Sequence, residues 1–206
     1  MGEKKIYILF TATGSWLTKL IQLYTRKTYN HVSLSFDEQL NETYSFGRKK
    51  AHNPFIGGFV REKIAEGLFK KATCEVYSYT ISETEYNQMK QKVQYFEAMK
   101  DLYRYNFIGL FAIIFNYDLK RKNAFFCSQF VATILNEKKH VIDKSPNLCT
   151  PQDLMDVEQL QLVYQGPLNA YPYQDINEET LETLLELRPW NPILYNSHDF
   201  INSPYV

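Results

Sequence analysis

Asn123 to Glu137 reads NAFFCSQFVATILNE, a polar opening followed by Phe126, Phe130, Val131, Ile134 and Leu135 at helical spacing on one face. Cys127 falls in the first turn of this expected helix. Amide N–H groups without intrahelical acceptors and the positive end of the helix dipole favour a thiolate over a thiol there. The position equally suits a thiol that merely packs, because free cysteine is among the most buried residue types. The presence of a base within reach of the sulfur decides between the two readings.

Upstream, His31 to Phe36, HVSLSF, alternates with period two, so Val32, Leu34 and Phe36 share one face and His31, Ser33 and Ser35 the other. A turn at Asp37 to Asn41 and a second run, Thr43 to Gly47, predict a hairpin that brings Thr43 or Ser45 within side-chain reach of His31. Ile6 to Thr11 reads as a buried strand, followed by a helix carrying Trp16, Leu17, Leu20, Ile21 and Tyr24. Asn53-Pro54 and Gly57-Gly58 suggest a loop before a short strand, Phe59 to Glu62. Thr73 to Ile81 is another strand, in which Cys74 reads as packing.

Ser82 to Glu85 fits a capping box, and Tyr86, Met89, Val93, Phe96 and Tyr103 follow at helical intervals. Phe107 to Phe115, FIGLFAIIF, is too short to span a bilayer and predicts a core helix. Lys120 to Lys122 reads as a solvated loop. Pro151 to Leu154 opens one more helical turn, and Leu160 to Tyr164 is expected to be a last core strand. From Gly166 the composition shifts toward Pro, Asn and Tyr. Residues 1–166 are therefore expected to form the main domain, with 167–206 as a C-terminal extension packed on it.

Composition narrows the class of function. The 206 residues are 45% hydrophobic and carry 23 basic and 23 acidic side chains, so no net field draws in nucleic acid. The five-residue apolar run near the N-terminus is shorter than a signal-peptide core, no segment reaches transmembrane length, and three cysteines give neither an even disulfide framework nor a CxxC pair. A cytoplasmic protein is expected. His31, His52, His140 and His198 are dispersed without metal-ligand spacing, and no phosphate-cradling loop occurs, so no metal or other cofactor is called for. Oligomeric state is not legible.

Cysteine with histidine is the pair with usable placement, Cys127 at a helix start and His31 on a polar strand face. An imidazole beside a thiol supports a thiolate–imidazolium pair that attacks a carbonyl and protonates the leaving group. The Cys127 amide would help bind the oxyanion, and a side-chain donor elsewhere would complete the hole.

Asn30-His31-Val32-Ser33, Tyr105 to Leu110, Phe126-Cys127-Ser128-Gln129-Phe130-Val131 and Pro151-Gln152-Asp153-Leu154 follow one another as in circularly permuted papain-like proteins of the NlpC superfamily. Within that superfamily the chain most resembles the YiiX-like branch, over roughly residues 5–165. The resemblance implies an α+β fold with a permuted papain-like core, a small antiparallel sheet packed on the helix that carries the cysteine. It also implies Cys127 as nucleophile and His31 as base. In similar proteins a polar residue on the next strand orients the base. Here the corresponding stretch offers Ser45, with Glu42 and Glu62 as alternatives.

The implied activity is that of a cysteine hydrolase, a thiol-protease-type enzyme cleaving an amide in a small peptide or cell-wall-derived fragment. A thiol acyltransferase or lipid-ester hydrolase acting on an acyl-containing substrate is the second reading, suggested by the apolar run at 107–115. A non-catalytic binding module on the same fold is the third. A long apolar channel to Cys127 would favour acyl chemistry, and a short cleft with polar and charged anchors a peptide. A buried Cys127, or one out of reach of His31, would favour the binding module.

Overall fold

The computed structural model describes residues 2–13, 28–50, 53–64, 66–114, 117–137 and 141–172. The expected helix around Trp16 and nearly all of the C-terminal extension lie outside the described residues, as do His52, His140 and His198. The first compact unit of the chain spans Met1–Gln174.

The described chain is α+β. It contains strands β1 (Glu3–Ala12), β2 (His31–Ser35), β3 (Thr43–Lys50), β4 (Asn53–Arg61) and β5 (Thr73–Ser82), then helix α1 (Glu83–Ala98). A short strand β6 (Arg104–Tyr105), helix α2 (Phe107–Ile114), short strand β7 (Ala124–Phe125) and helix α3 (Cys127–Leu135) follow. Helix α4 (Pro151–Met155) and strand β8 (Gln161–Pro167) complete the described elements, apart from three 3-10 turns. Six strands form one sheet in the order β4-β3-β2-β1-β5-β8, with every neighbouring pair antiparallel.

Strict alternation in β1 gives the sheet two covered faces. Ile6, Ile8 and Phe10 join Val32, Leu34 and the apolar face of α3 in the larger core, whereas Tyr7 and Leu9 join Cys74, Val76, Leu168 and Tyr171 in a smaller one. Aromatic rings fill the space between sheet and helices: Phe96 of α1 lies 5.4 Å from Phe130 of α3 and 6.1 Å from Phe59 of β4, centroid to centroid. Helix α1 starts at the expected capping box, with Ser82 and Glu85 satisfying one another's backbone N–H groups. It stops at Ala98 rather than running to Tyr103, whose ring packs separately on Phe96.

Three expectations need correction. Gly57 and Gly58 lie inside β4, not in a loop: a Cβ on Gly57 would come within 2.8 Å of both the Gly47 carbonyl oxygen and Tyr105 Cβ, so the glycine permits β6 to lie on the strand. The last strand, β8, is an exposed edge rather than a core element, with Leu162 51% and Val163 47% exposed. The apolar helix α2 is also only partly covered, and Ile108 is 59% exposed. Its uniformly apolar sequence carried no polar face to reveal which side meets solvent. Among the described residues, no helix is long and apolar enough to cross a membrane.

Candidate active site

Two separate pairings converge on the start of α3. Strand β2 begins at His31, which pairs with Thr11 of β1, so the histidine stands at the end of the sheet. Strands β6 and β7 form a parallel two-residue pair, Arg104 with Ala124 and Tyr105 with Phe125, reinforced by Asn106 N–H donating to the Phe125 carbonyl at 2.8 Å. That pairing sets Tyr105 beside the peptide leading into Cys127.

Phe126 occupies the N-cap position and has no side-chain acceptor to offer, so the Phe126 N–H donates instead to Gln129 Oε1. Ser128 Oγ donates to the Cys149 carbonyl at 2.6 Å, and Gln129 Nε2 to Asn147 Oδ1 at 2.6 Å. These bonds tie the first turn of α3 to the loop before α4 and fix the direction of the cysteine. Cys127 is the first helical residue and its amide lies among the orphan donors of the helix start.

The imidazole of His31 stands between a carboxylate and a sulfur. Its Nε2 is 2.7 Å from Glu62 Oε1, and Cys127 is near enough to the ring to help raise its pKa. With Nε2 engaged by the carboxylate, Nδ1 is the nitrogen left for sulfur. Glu62 follows β4 directly and is anchored by its own N–H to the Thr43 carbonyl at 2.8 Å. Its carboxylate also accepts from Ser33 Oγ and from Ser45 Oγ, each at 2.5 Å. Its side chain is 5% exposed, against 19% for His31.

Such burial penalises both charges, and the pairing outweighs the penalty. Desolvation alone would lower the His31 pKa, yet the Glu62 carboxylate and the Cys127 sulfur raise it to about 10. Desolvation likewise acts to raise the Glu62 pKa, but the imidazolium and the two serine hydroxyls hold it below the usual carboxylate value. The arrangement is a buried imidazolium–carboxylate pair with a sulfur on its free side.

Of the residues nominated from sequence, His31 and Cys127 come together. Ser45 stands one step back, donating to Glu62, and it is Glu62 that meets the ring. Glu42 is elsewhere, at the hairpin turn, where it pairs with Lys90 at 2.7 Å. Ser33 was legible as a neighbour of His31 on the polar strand face, but its carboxylate partner depends on a contact 29 residues away. Tyr105 belongs to the Tyr105 to Leu110 stretch, which carries no local signal of its place beside Cys127. Its buried hydroxyl is raised in pKa by desolvation and by the nearby Cys127, while Arg48 pulls the other way.

A cleft of about 120 Å³ opens against His31, with Arg48, Leu68, Phe69, Tyr105 and Phe107 among its walls. Cys127 is 4% exposed, the burial expected of a binding module, but it also lies near enough to His31 to influence the ring's protonation, which that reading does not require. The other two thiols lack such company. Burial, together with a nearby carboxylate in each case, pushes Cys74 and Cys149 up to about 12. Compared with known proteins, the chain matches no family model, no curated sequence and no solved structure.

Proposed function

We propose that this chain is a cysteine hydrolase of the permuted papain-like type, with Cys127 as nucleophile, His31 as general base and acid, and Glu62 holding the imidazolium. The observation that carries the reading is the 2.7 Å pairing of Glu62 with the His31 ring, with Cys127 nearby at the first position of α3. A carboxylate on the far nitrogen both orients the ring and favours its protonated form, and a protonated ring beside sulfur favours thiolate.

The reaction follows from these positions. The Cys127 thiolate forms a bond to the carbonyl carbon, and the carbonyl electrons move to an oxyanion near the Cys127 amide, with the Tyr105 hydroxyl as the neighbouring side-chain donor. Collapse of the oxyanion breaks the C–N bond, and the amine leaves with the proton from His31. The neutral imidazole then takes a proton from water as the water oxygen attacks the thioester. The acid product departs, and thiolate and imidazolium are restored.

The cleft sets Arg48 and Glu62 beside Leu68, Phe69 and Phe107, and the charged groups among these mixed walls support a small peptide amide as the substrate. The burial of Cys127 favours the binding-module reading instead, and turnover separates the two. Incubation with p-nitrophenyl acetate should give a burst of nitrophenolate and an acetyl adduct on the Cys127 peptide by mass spectrometry, with peptide anilides turned over slowly. Loss of the adduct in His31→Ala supports the pair. Absence of any adduct in the unaltered protein would leave the binding module as the better reading.

A further inference from the structure

The cleft beside the imidazole carries a charge that the hydrolytic steps do not use. Arg48 is on β3, directly across from Gly57 of β4, and Tyr105 lies over that glycine. The guanidinium is half-buried beside the Tyr105 ring, and its pKa is lowered by desolvation, with the tyrosine acting in the opposite sense. Leu68, Phe69 and Phe107 supply apolar surface to the same cleft.

A guanidinium presents a planar fork of donors matched to a carboxylate, and a half-buried site strengthens that pairing relative to open water. Arg48 and His31 line the same cleft of about 120 Å³. We infer that Arg48 binds a free carboxylate on the substrate, so that the amide presented to Cys127 belongs to a peptide that carries an acidic group near the scissile bond. This deepens the hydrolase reading and rests on it for the position of the sulfur. Arg48 acts as an anion anchor, with the apolar walls taking the side chain of the anchored residue.

Two alkylating agents of similar size and opposite character test the anchor: iodoacetate, which carries a carboxylate, and iodoacetamide, which does not. Their rates on Cys127, read by peptide mass spectrometry, give a ratio in which the reactivity of the sulfur cancels. Arg48→Gln should lower the iodoacetate-to-iodoacetamide ratio roughly fivefold, the size of one screened charge contact, and Arg48→Lys should restore part of it. The attraction of the His31 imidazolium is common to all three proteins and does not enter the comparison. A guanidinium acting only on the sulfur would change both rates alike, and an unchanged ratio in Arg48→Gln would overturn the anchor while leaving the thiol chemistry intact. If Cys127 reacts with neither reagent faster than glutathione does, the hydrolase reading fails. The anchor is then read separately in Cys127→Ala by amide chemical shifts with N-acetyl-Ala-Ala and its C-terminal amide. Preferential binding of the acid that is lost in Arg48→Gln would uphold the anchor, and equal binding of acid and amide would overturn it.

Discussion

Glu62 Oε1 lies 2.7 Å from Nε2 of His31, and the same oxygen accepts from Ser45. A carboxylate so placed sets the charge of the ring, whereas a serine in its place could only have set the orientation. Glu62→Gln removes the charge and keeps the shape. The expected result is a loss of kcat/KM of about tenfold to a hundredfold, by analogy with the carboxylates that orient metal-binding histidines. The basic limb of the pH profile should also move down, from the neighbourhood of the raised His31 value, about 10, toward neutrality. A profile that loses height without moving its basic limb would show that the carboxylate only positions the ring.

Ser45→Ala and Ser33→Ala each remove one donor from Glu62 and leave the ion pair in place. Each should cost about 1.5–3 kcal/mol in stability, the usual range for a hydrogen bond to a charged group, with a smaller effect on turnover than Glu62→Gln. Denaturant titration of both variants beside the unaltered protein checks the magnitude. Equal kinetic damage from Ser45→Ala and Glu62→Gln would return the serine to the position suggested by its place on the strand.

The contrast among these residues shows what the sequence could and could not convey. Local alternation located His31 and Ser33 on one face of β2, the hairpin reading brought Ser45 onto the neighbouring strand, and helical spacing located Cys127 at the start of α3. Those features depend on neighbours within a few residues, which is the range over which periodicity operates. Glu62 depends instead on where β4 ends after pairing through Gly57 and Gly58, and Arg48 depends on how β6 lies over that pair. The two glycines read as loop punctuation because a close backbone approach is invisible until the second backbone is known. The edge position of β8 was hidden for the same reason, since Leu162 and Val163 are ordinary strand residues whose exposure is decided by strand order.

Gly57→Ala tests that close approach. The added methyl would meet the Gly47 carbonyl oxygen and Tyr105 Cβ, each at 2.8 Å, so the strand pair or β6 must shift. Overpacking of this kind costs about 1–3 kcal/mol. Because Tyr105 is carried by β6 and neighbours Cys127, turnover should fall by more than the loss of stability explains at a temperature where the variant is fully folded. Thermal melts paired with activity at 25 °C or below distinguish the two effects. Full activity in a destabilised variant would show that Tyr105 tolerates displacement.

Thiol labelling separates the three cysteines. Cys74 and Cys149 are fully buried and pushed up to about 12, so neither should react with iodoacetamide at pH 7 in the folded protein. Cys127 is almost as buried but has the imidazole beside it and the cleft in front of His31. One adduct, on Cys127, is expected before denaturation and three after it. Labelling of Cys149 at a comparable rate in the folded state would mean that the loop tying α3 to α4 opens readily, and the hydrogen bond from Ser128 to its carbonyl would not be holding the nucleophile turn.

The His31–Glu62 pair also ties stability to pH from both sides. The His31 pKa is raised from an ordinary 6.5 to about 10, so its contribution is complete below about 6.5 and is lost as pH rises toward 10. The Glu62 pKa is lowered from an ordinary 4.5, so its contribution is complete above that value and is lost as pH falls through the lower folded-state value. The pair therefore contributes most between about pH 4.5 and 6.5. Breaking one side of a buried pair leaves an uncompensated charge and typically costs about 3–5 kcal/mol, with the upper end reduced here by the two serines that still solvate Glu62. His31→Ala should consequently lose most stability in that window, and its deficit should shrink toward that of lost packing and one neutral hydrogen bond above pH 10, where the native imidazole has itself become neutral. Urea midpoints measured at pH 5.5, 8 and 10.5 test this narrowing, and a destabilisation independent of pH would mean that the ring contributes by packing alone.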